Sequence, residues 1–160
     1  MGFDPAVPET ASNWRSYLCK VNGHISSVFV NLALSLVAPL AATPKLAWLW
    51  IRLIHPRDDG LSTDEEFDAL CRFEDDVEAA LAKSGSGVYA GRITTCGRRE
   101  FYFYITPGAD LRADMAPVLS AHPEYAYQLG ERPDAAWDHY RTTLSPGPRG
   151  LEQILGVRTT

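Results

Sequence analysis

Hydrophobic positions change period several times along the chain. Trp14 to Val21 and His24 to Leu34 are strand-like runs separated by Asn22-Gly23. That dipeptide tolerates the positive φ values of a type I′ turn, so residues 14–34 are predicted to form a β-hairpin. After a linker from Pro39 to Pro44, Lys45 to Ile54 is apolar on both faces, the pattern of a central strand, and His55-Pro56 ends it. Ser62-Thr63-Asp64-Glu65-Glu66 then offers a capping box, in which a hydroxyl accepts from an orphan amide while a Glu three residues on reaches back. Phe67, Leu70, Cys71, Val77 and Leu81 recur at helical spacing to about residue 83, and Ser84-Gly85-Ser86-Gly87 supplies the stop.

Val88 to Thr95 and Arg98 to Ile105 form a second predicted hairpin around Cys96-Gly97, with Phe101-Tyr102-Phe103-Tyr104 placing aromatics on both faces. A helix over 109–121, a short strand over 124–129 and a last helix over 134–144 complete the order. Residues 1–12, with two prolines and no periodicity, are expected to be a flexible arm, and 147–160 an extended tail ending in a short apolar run. From Lys45 the order is strand, helix, strand, strand, helix, strand, the ferredoxin-like split βαβ pattern. Its inner strands would be Ala47–Ile54 and Arg99–Ile105, the two runs that are apolar on both faces. The expected fold is therefore a single α+β domain over 13–146. Its antiparallel sheet has a ferredoxin-like core over 45–129, an N-terminal β-hairpin over 14–34 that extends or covers it, and a C-terminal helix.

At 160 residues, with 46% hydrophobic side chains, the chain has enough apolar surface for one core. Its net charge of −5 opposes phosphate-backbone binding, so nucleic acid is a disfavoured partner. Cys19, Cys71 and Cys96 lie far apart without a CxxC pair, which fits neither a disulfide framework nor a zinc knuckle and points to a reducing cytoplasm. No leader or acyl signal is read at the start. The apolar stretch from Val28 to Ile51 is interrupted by Asn31, Ser35, Pro39, Pro44 and Lys45, so no membrane span is expected. Composition leaves the oligomeric state open.

Candidate chemistry is sparse. His24, His55, His122 and His139 form no HxH or HExxH spacing, and a metal on His55 with Asp58 and Asp59 weighs less than a solvated loop. Ser84-Gly-Ser-Gly lacks the lysine of a phosphate loop and follows a helix rather than opening one. Cys96 sits among Arg92, Arg98 and Arg99, where positive charge lowers a thiol pKa, but an incidental exposed thiol is the simpler account. No catalytic residue, metal or cofactor is therefore assigned.

Charge is more informative. Residues 58–78 hold ten acidic side chains and one base, a local −9 against −5 for the whole chain, so the remainder is net +4. A solvated helix face explains much of this, yet the surplus is enough to steer a basic partner. The candidate contacts are Asp64, Glu65, Asp68, Asp75, Asp76 and Glu78, with Arg98 and Arg99 at the second hairpin tip as another site. The Arg99 to Tyr104 strand also invites comparison with RNA modules that stack bases on exposed rings, although core packing is the stronger account of its aromatics.

Several blocks carry a family resemblance. They are Trp14-Arg-Ser-Tyr17, Val28-Phe-Val-Asn-Leu32, Asp59-Gly-Leu61 with Glu65-Glu66, Gly91-Arg-Ile-Thr94 leading to Arg99-Glu-Phe-Tyr-Phe-Tyr104, and Trp137-Asp-His-Tyr140 with Leu144-Ser-Pro146. From Trp14 to Pro146 the chain resembles the bacterial domain-of-unknown-function family 695, which implies a fold and no activity. The second half is also similar to the regulator of ribonuclease E activity, form B, a small ferredoxin-like protein that acts by binding the ribonuclease. That likeness, with the missing catalytic constellation, implies a non-catalytic protein-binding or regulatory domain, nuclease-regulator-like or immunity-protein-like. The alternative is a small hydrolase or transferase, for which a buried His or carboxylate with a strongly shifted pKa would speak. RNA binding is a minor alternative.

Overall fold

The structure is a computed structural model describing residues 12–156, so the arm expected over 1–12 lies, except for its last residue, outside the described residues. Six strands form one antiparallel sheet: β1 (Trp14–Val21), β2 (His24–Asn31), β3 (Lys45–Arg52), β4 (Gly87–Thr95), β5 (Arg98–Ile105) and β6 (Tyr127–Pro133). The helices are α1 (Phe67–Ser84), α2 (Leu111–Ala121) and α3 (Pro148–Leu155). The strand order is β1-β2-β4-β5-β3-β6, so the two runs apolar on both faces, β3 and β5, are inner strands, as expected. The Asn22-Gly23 turn carries positive φ at both positions, 53° and 81°, and pairs Val21 with His24. The hairpin it closes extends the sheet through β2 beside β4.

Two hydrophobic cores lie on the two faces of the sheet. On one face α1 and α2 contribute Leu70, Phe73, Val77, Leu81, Met115 and Val118 against Leu49, Tyr89, Phe101 and Phe103. The opposite face is closed by irregular chain and by α3: Leu34, Leu40, Trp137, Tyr140 and Leu144 pack on Val28, Leu46, Ile93 and Tyr104. Trp137 stacks on Tyr104 with ring centroids 4.0 Å apart and donates from Nε1 to the Thr43 carbonyl at 3.0 Å. Tyr17 donates to the Leu144 carbonyl at 2.6 Å and Tyr140 to the Asn31 carbonyl at 2.7 Å, tying the irregular cover down through polar bonds.

Several boundaries depart from expectation for identifiable reasons. β2 ends at Asn31, whose side chain accepts from the Ala33 amide and starts a 3₁₀ turn over Leu32–Leu36. The capping box does not form: Thr63 donates to the His55 carbonyl at 2.8 Å, and Glu66 points inward, so a 3₁₀ turn over Asp64–Glu66 precedes α1. Within α1 the buried stripe is Leu70, Phe73, Val77 and Leu81, whereas Phe67 is 61% exposed and Cys71 is also exposed. β6 begins at Tyr127 because Tyr125 turns into the core against Phe73. The last helix shrinks to 138–144, its final turn π-helical, because Trp137 holds a left-handed φ of 59° and Asp134 caps the amides of Asp138 and His139. The tail is not extended: α3 lies against β1, where the Gln153 carboxamide accepts from the Leu18 amide and donates to its carbonyl, both at 2.8 Å. That double bond satisfies edge-strand groups that would otherwise stand open for pairing.

On the α1 and α2 face, α1 reaches across the sheet to β4, and the surface of the hairpin beyond it is left partly open. Trp14 stacks on Phe29 at 4.9 Å there, and Leu18 is 47% exposed.

Candidate functional site

The acidic segment runs along α1 and the turn before it, and it divides by helical phase. Asp64, Glu65, Asp68, Asp75, Asp76 and Glu78 are all exposed. Glu66 and Glu74, in the same segment, are buried and committed to the interior. Glu66, only 3% exposed, accepts from the Ile54 amide at 3.0 Å, the His55 amide at 2.8 Å and the Tyr125 hydroxyl at 2.8 Å. Glu74 accepts from the Tyr89 hydroxyl at 3.0 Å and pairs with Arg92, whose guanidinium lies over the Phe29 ring. The same pairing recurs elsewhere in the sheet, with Tyr102 donating to Glu100 and Tyr104 to Asp134, both at 2.7 Å. These inward carboxylates are tyrosine acceptors, which leaves a smaller outer charge than the sequence count implies.

Of the six exposed acids, Asp76 meets His122 Nε2 at 2.7 Å and Glu65 lies 3.8 Å from His55 Nδ1. Asp64, Asp68 and Asp75 have no cationic partner among the described residues. Burial raises the Glu78 pKa, and the neighbouring charges of Glu74 and Asp75 push the same way against Arg92. The exposed Phe67 stands on the same helix as these acids, and the partly open hairpin surface lies beyond Arg92.

The two arginines expected together at the hairpin tip are separated by the strand's alternation. Arg99 is 8% exposed and faces the helix side, donating from Nε to Thr94 at 2.9 Å and from a terminal nitrogen to Ser62 at 3.3 Å. Burial lowers its pKa to about 10, helped by Arg92. Arg99 therefore offers no tip surface. Arg98 remains half-buried on the other face, its Nε bonded to Glu100 at 2.5 Å and its guanidinium 4.5 Å from the Trp50 ring centroid. Its neighbour there is Arg52, directly opposite across the β3–β5 ladder. Sequence reasoning missed Arg52, because the pairing signal lies in strand register and not in local spacing.

Tyr102, Tyr104, Phe101 and Phe103 are all buried, so this strand presents no rings for base stacking. His139 lies against Tyr102 with ring centroids 4.3 Å apart, and its Nε2 is buried without a partner among the described residues. Burial, with Arg132 nearby, lowers its pKa to about 4. The loop that carries His55 spends its acids locally: Asp59 pairs with Arg57 at 2.8 Å and accepts from the Leu61 amide. No group of three His, Cys, Asp or Glu side chains among the described residues is placed to hold a metal. Cys96, exposed at the tip, and Cys19 and Cys71 are free thiols. No helix among the described residues is long and apolar enough to cross a membrane.

The model of the family of unknown function DUF695 matches residues 12–145 of this sequence. Neither a curated protein nor a solved structure matches it.

Proposed function

The chain belongs to DUF695, and from that premise we propose that this protein is a non-catalytic protein-binding or regulatory domain, nuclease-regulator-like or immunity-protein-like, that docks a basic partner on the outer face of α1. The observation that carries this reading is the division of the acids by helical phase. Glu66 and Glu74 are turned inward onto tyrosines and backbone amides, while Asp64, Asp68 and Asp75 are exposed with no cationic partner among the described residues. A single-sign face of this kind raises association rates with an oppositely charged surface and adds less to final affinity. The exposed Phe67 beside it supplies an apolar anchor, the kind of contact that does carry affinity.

The test is kinetic. A basic partner is first isolated with the full chain as bait, and its association rate is measured over a range of ionic strength. Replacing Asp64, Asp68 and Asp75 by Asn should slow association about tenfold at low salt and flatten the salt dependence. An unchanged rate at every ionic strength contradicts the reading.

A second reading has one specific observation behind it. His139, its pKa lowered to about 4 and its ring tilted against a tyrosine that is bonded to a buried glutamate, is the shifted, enclosed group that a small hydrolase or transferase would carry. Turnover of any substrate by the purified chain, lost in both His139→Ala and Glu100→Gln, would favour it over docking.

A further inference from the structure

On the face of the sheet opposite α1, at the end where that helix begins, two arginines are set side by side. In the antiparallel register Arg52 of β3 is paired directly with Arg98 of β5. Alternation puts both side chains on the same face as Trp50 and Glu100, which are themselves a cross-strand pair one step further along. Like charges placed directly opposite each other on a sheet destabilise it. One carboxylate is at hand, but Glu100 is already bonded to Arg98 Nε and to the Tyr102 hydroxyl. Arg52 has no acidic partner among the described residues, and the remaining contact of Arg98 is with the face of Trp50. The Arg57–Asp59 pair in the adjoining loop is closed on itself.

Arg52 and Arg98 line a cleft of about 190 Å³ together with Trp50, Cys96, Tyr127 and Gln128. Its frame is fixed by backbone bonds: the Arg52 amide donates to Ala126 at 3.0 Å, Leu53 to Gly97 at 2.9 Å and Gly97 to Gly60 at 2.9 Å. Gly60 makes this approach possible, since a Cβ there would meet the Cys96 amide nitrogen at 2.8 Å. Stacking on Trp50 and the bond to Glu100 fix the plane of Arg98 and leave its two terminal nitrogens as a ready fork. Gln128, opposite Trp50 on β6, also lines the cleft, and its side chain is of a type that can donate to an anion.

We propose that this cleft binds a small oxyanion, a carboxylate or phosphate group, between Arg52 and Arg98. The chemistry follows from the donors. Two guanidinium forks match planar carboxylate or tetrahedral phosphate oxygens, and a bound anion removes the repulsion that the register imposes. The volume is below the roughly 300 Å³ at which drug-sized pockets begin, so the occupant is a small molecule or one charged group of a larger one. The site is independent of the α1 face and of the partner proposed for it.

The experiment is calorimetric titration of the full chain with inorganic phosphate and, separately, with succinate, both at fixed ionic strength. Saturable binding of either supports the site, phosphate alone assigning a phosphate group and succinate alone a carboxylate. Arg52→Gln should weaken that binding at least about tenfold, because a charge-assisted pair is lost from an exposed position that the core does not need. Arg15→Gln, an exposed arginine on β1, serves as control and should leave binding unchanged. Absence of saturable binding by both anions overturns the proposal, as does wild-type affinity in Arg52→Gln or equal weakening in Arg15→Gln.

Discussion

On the side of α1 and its preceding turn that meets the sheet, Glu66 and Glu74 are buried, Glu66 accepting from the Tyr125 hydroxyl and two backbone amides and Glu74 from the Tyr89 hydroxyl. On the side that meets solvent, Asp64, Asp68 and Asp75, drawn from the same acidic run, lie exposed without a cationic partner among the described residues. The residue types are nearly identical and a shift of one or two positions along the helix separates them. Helical phase decides which acids belong to the fold and which are left for something outside it. Local net charge therefore overstates a surface, because buried acids are counted with exposed ones.

Removing an inward acid should produce the largest effect. Glu66→Ala leaves the amides of Ile54 and His55 and the Tyr125 hydroxyl without their acceptor, and should cost about 3 kcal/mol in denaturant unfolding. Glu74→Ala strands Tyr89 and Arg92 and should cost about 2 kcal/mol by the same measurement. Values near zero for both would erase the contrast between the two sides of the helix.

The other face of the sheet sharpens the contrast through pH. The His139 pKa falls from an ordinary 6.5 to about 4, so between those values the unfolded chain binds more protons and stability rises with pH. That contribution is complete above about pH 6.5 and is lost as pH falls toward 4. It should amount to about 2 kcal/mol after allowance for partial exposure, and the slope should vanish in His139→Gln. Asp134 acts lower down. Burial pushes its pKa up, but the bonds from Tyr104 and from the amides of His139 and Asp138, with Arg132 nearby, outweigh burial and hold it below 3.8. Its contribution is present above the ordinary aspartate range and is lost as pH falls through the lower folded value. Unfolding free energies at pH 7, 5 and 3.5 check both. A smaller effect is expected at the arginine pair, where Arg52→Gln in anion-free buffer should raise stability by about 0.5 kcal/mol by removing a like-charge cross-strand pair.

What the sequence made legible follows the range of each signal. The Asn22-Gly23 turn, the double-faced strands β3 and β5 and the stop at Gly85 are local patterns, and all three appear in the structure. Exposure of the six acids was legible too, because a charged helix position away from the apolar stripe has nowhere else to point. The inward turn of Glu66 was not: a capping box and a buried acceptor share one local signature, and Tyr125, which decides between them, lies far along the chain. Phe67 was assigned to the core and Phe73 overlooked, because both fit a helical repeat and only packing against Phe101 and Tyr125 fixes the phase. The helix expected over 134–144 is shortened to 138–144 by Asp134 and Trp137, whose cap and left-handed backbone no periodicity announces. Arg52 and Arg98 meet through register alone, which no local reading supplies.

The most direct measurement of whether the outer acids are free for a partner is the unfolding free energy of the Asp64→Asn, Asp68→Asn, Asp75→Asn triple variant beside that of Glu66→Ala, under one set of conditions. The triple variant is expected to stay within about 0.5 kcal/mol of the parent, as surface changes do, while the single inward change costs several times more. A triple variant as destabilised as Glu66→Ala would show that the outer acids are part of what holds the fold together and would contradict their assignment as a docking face.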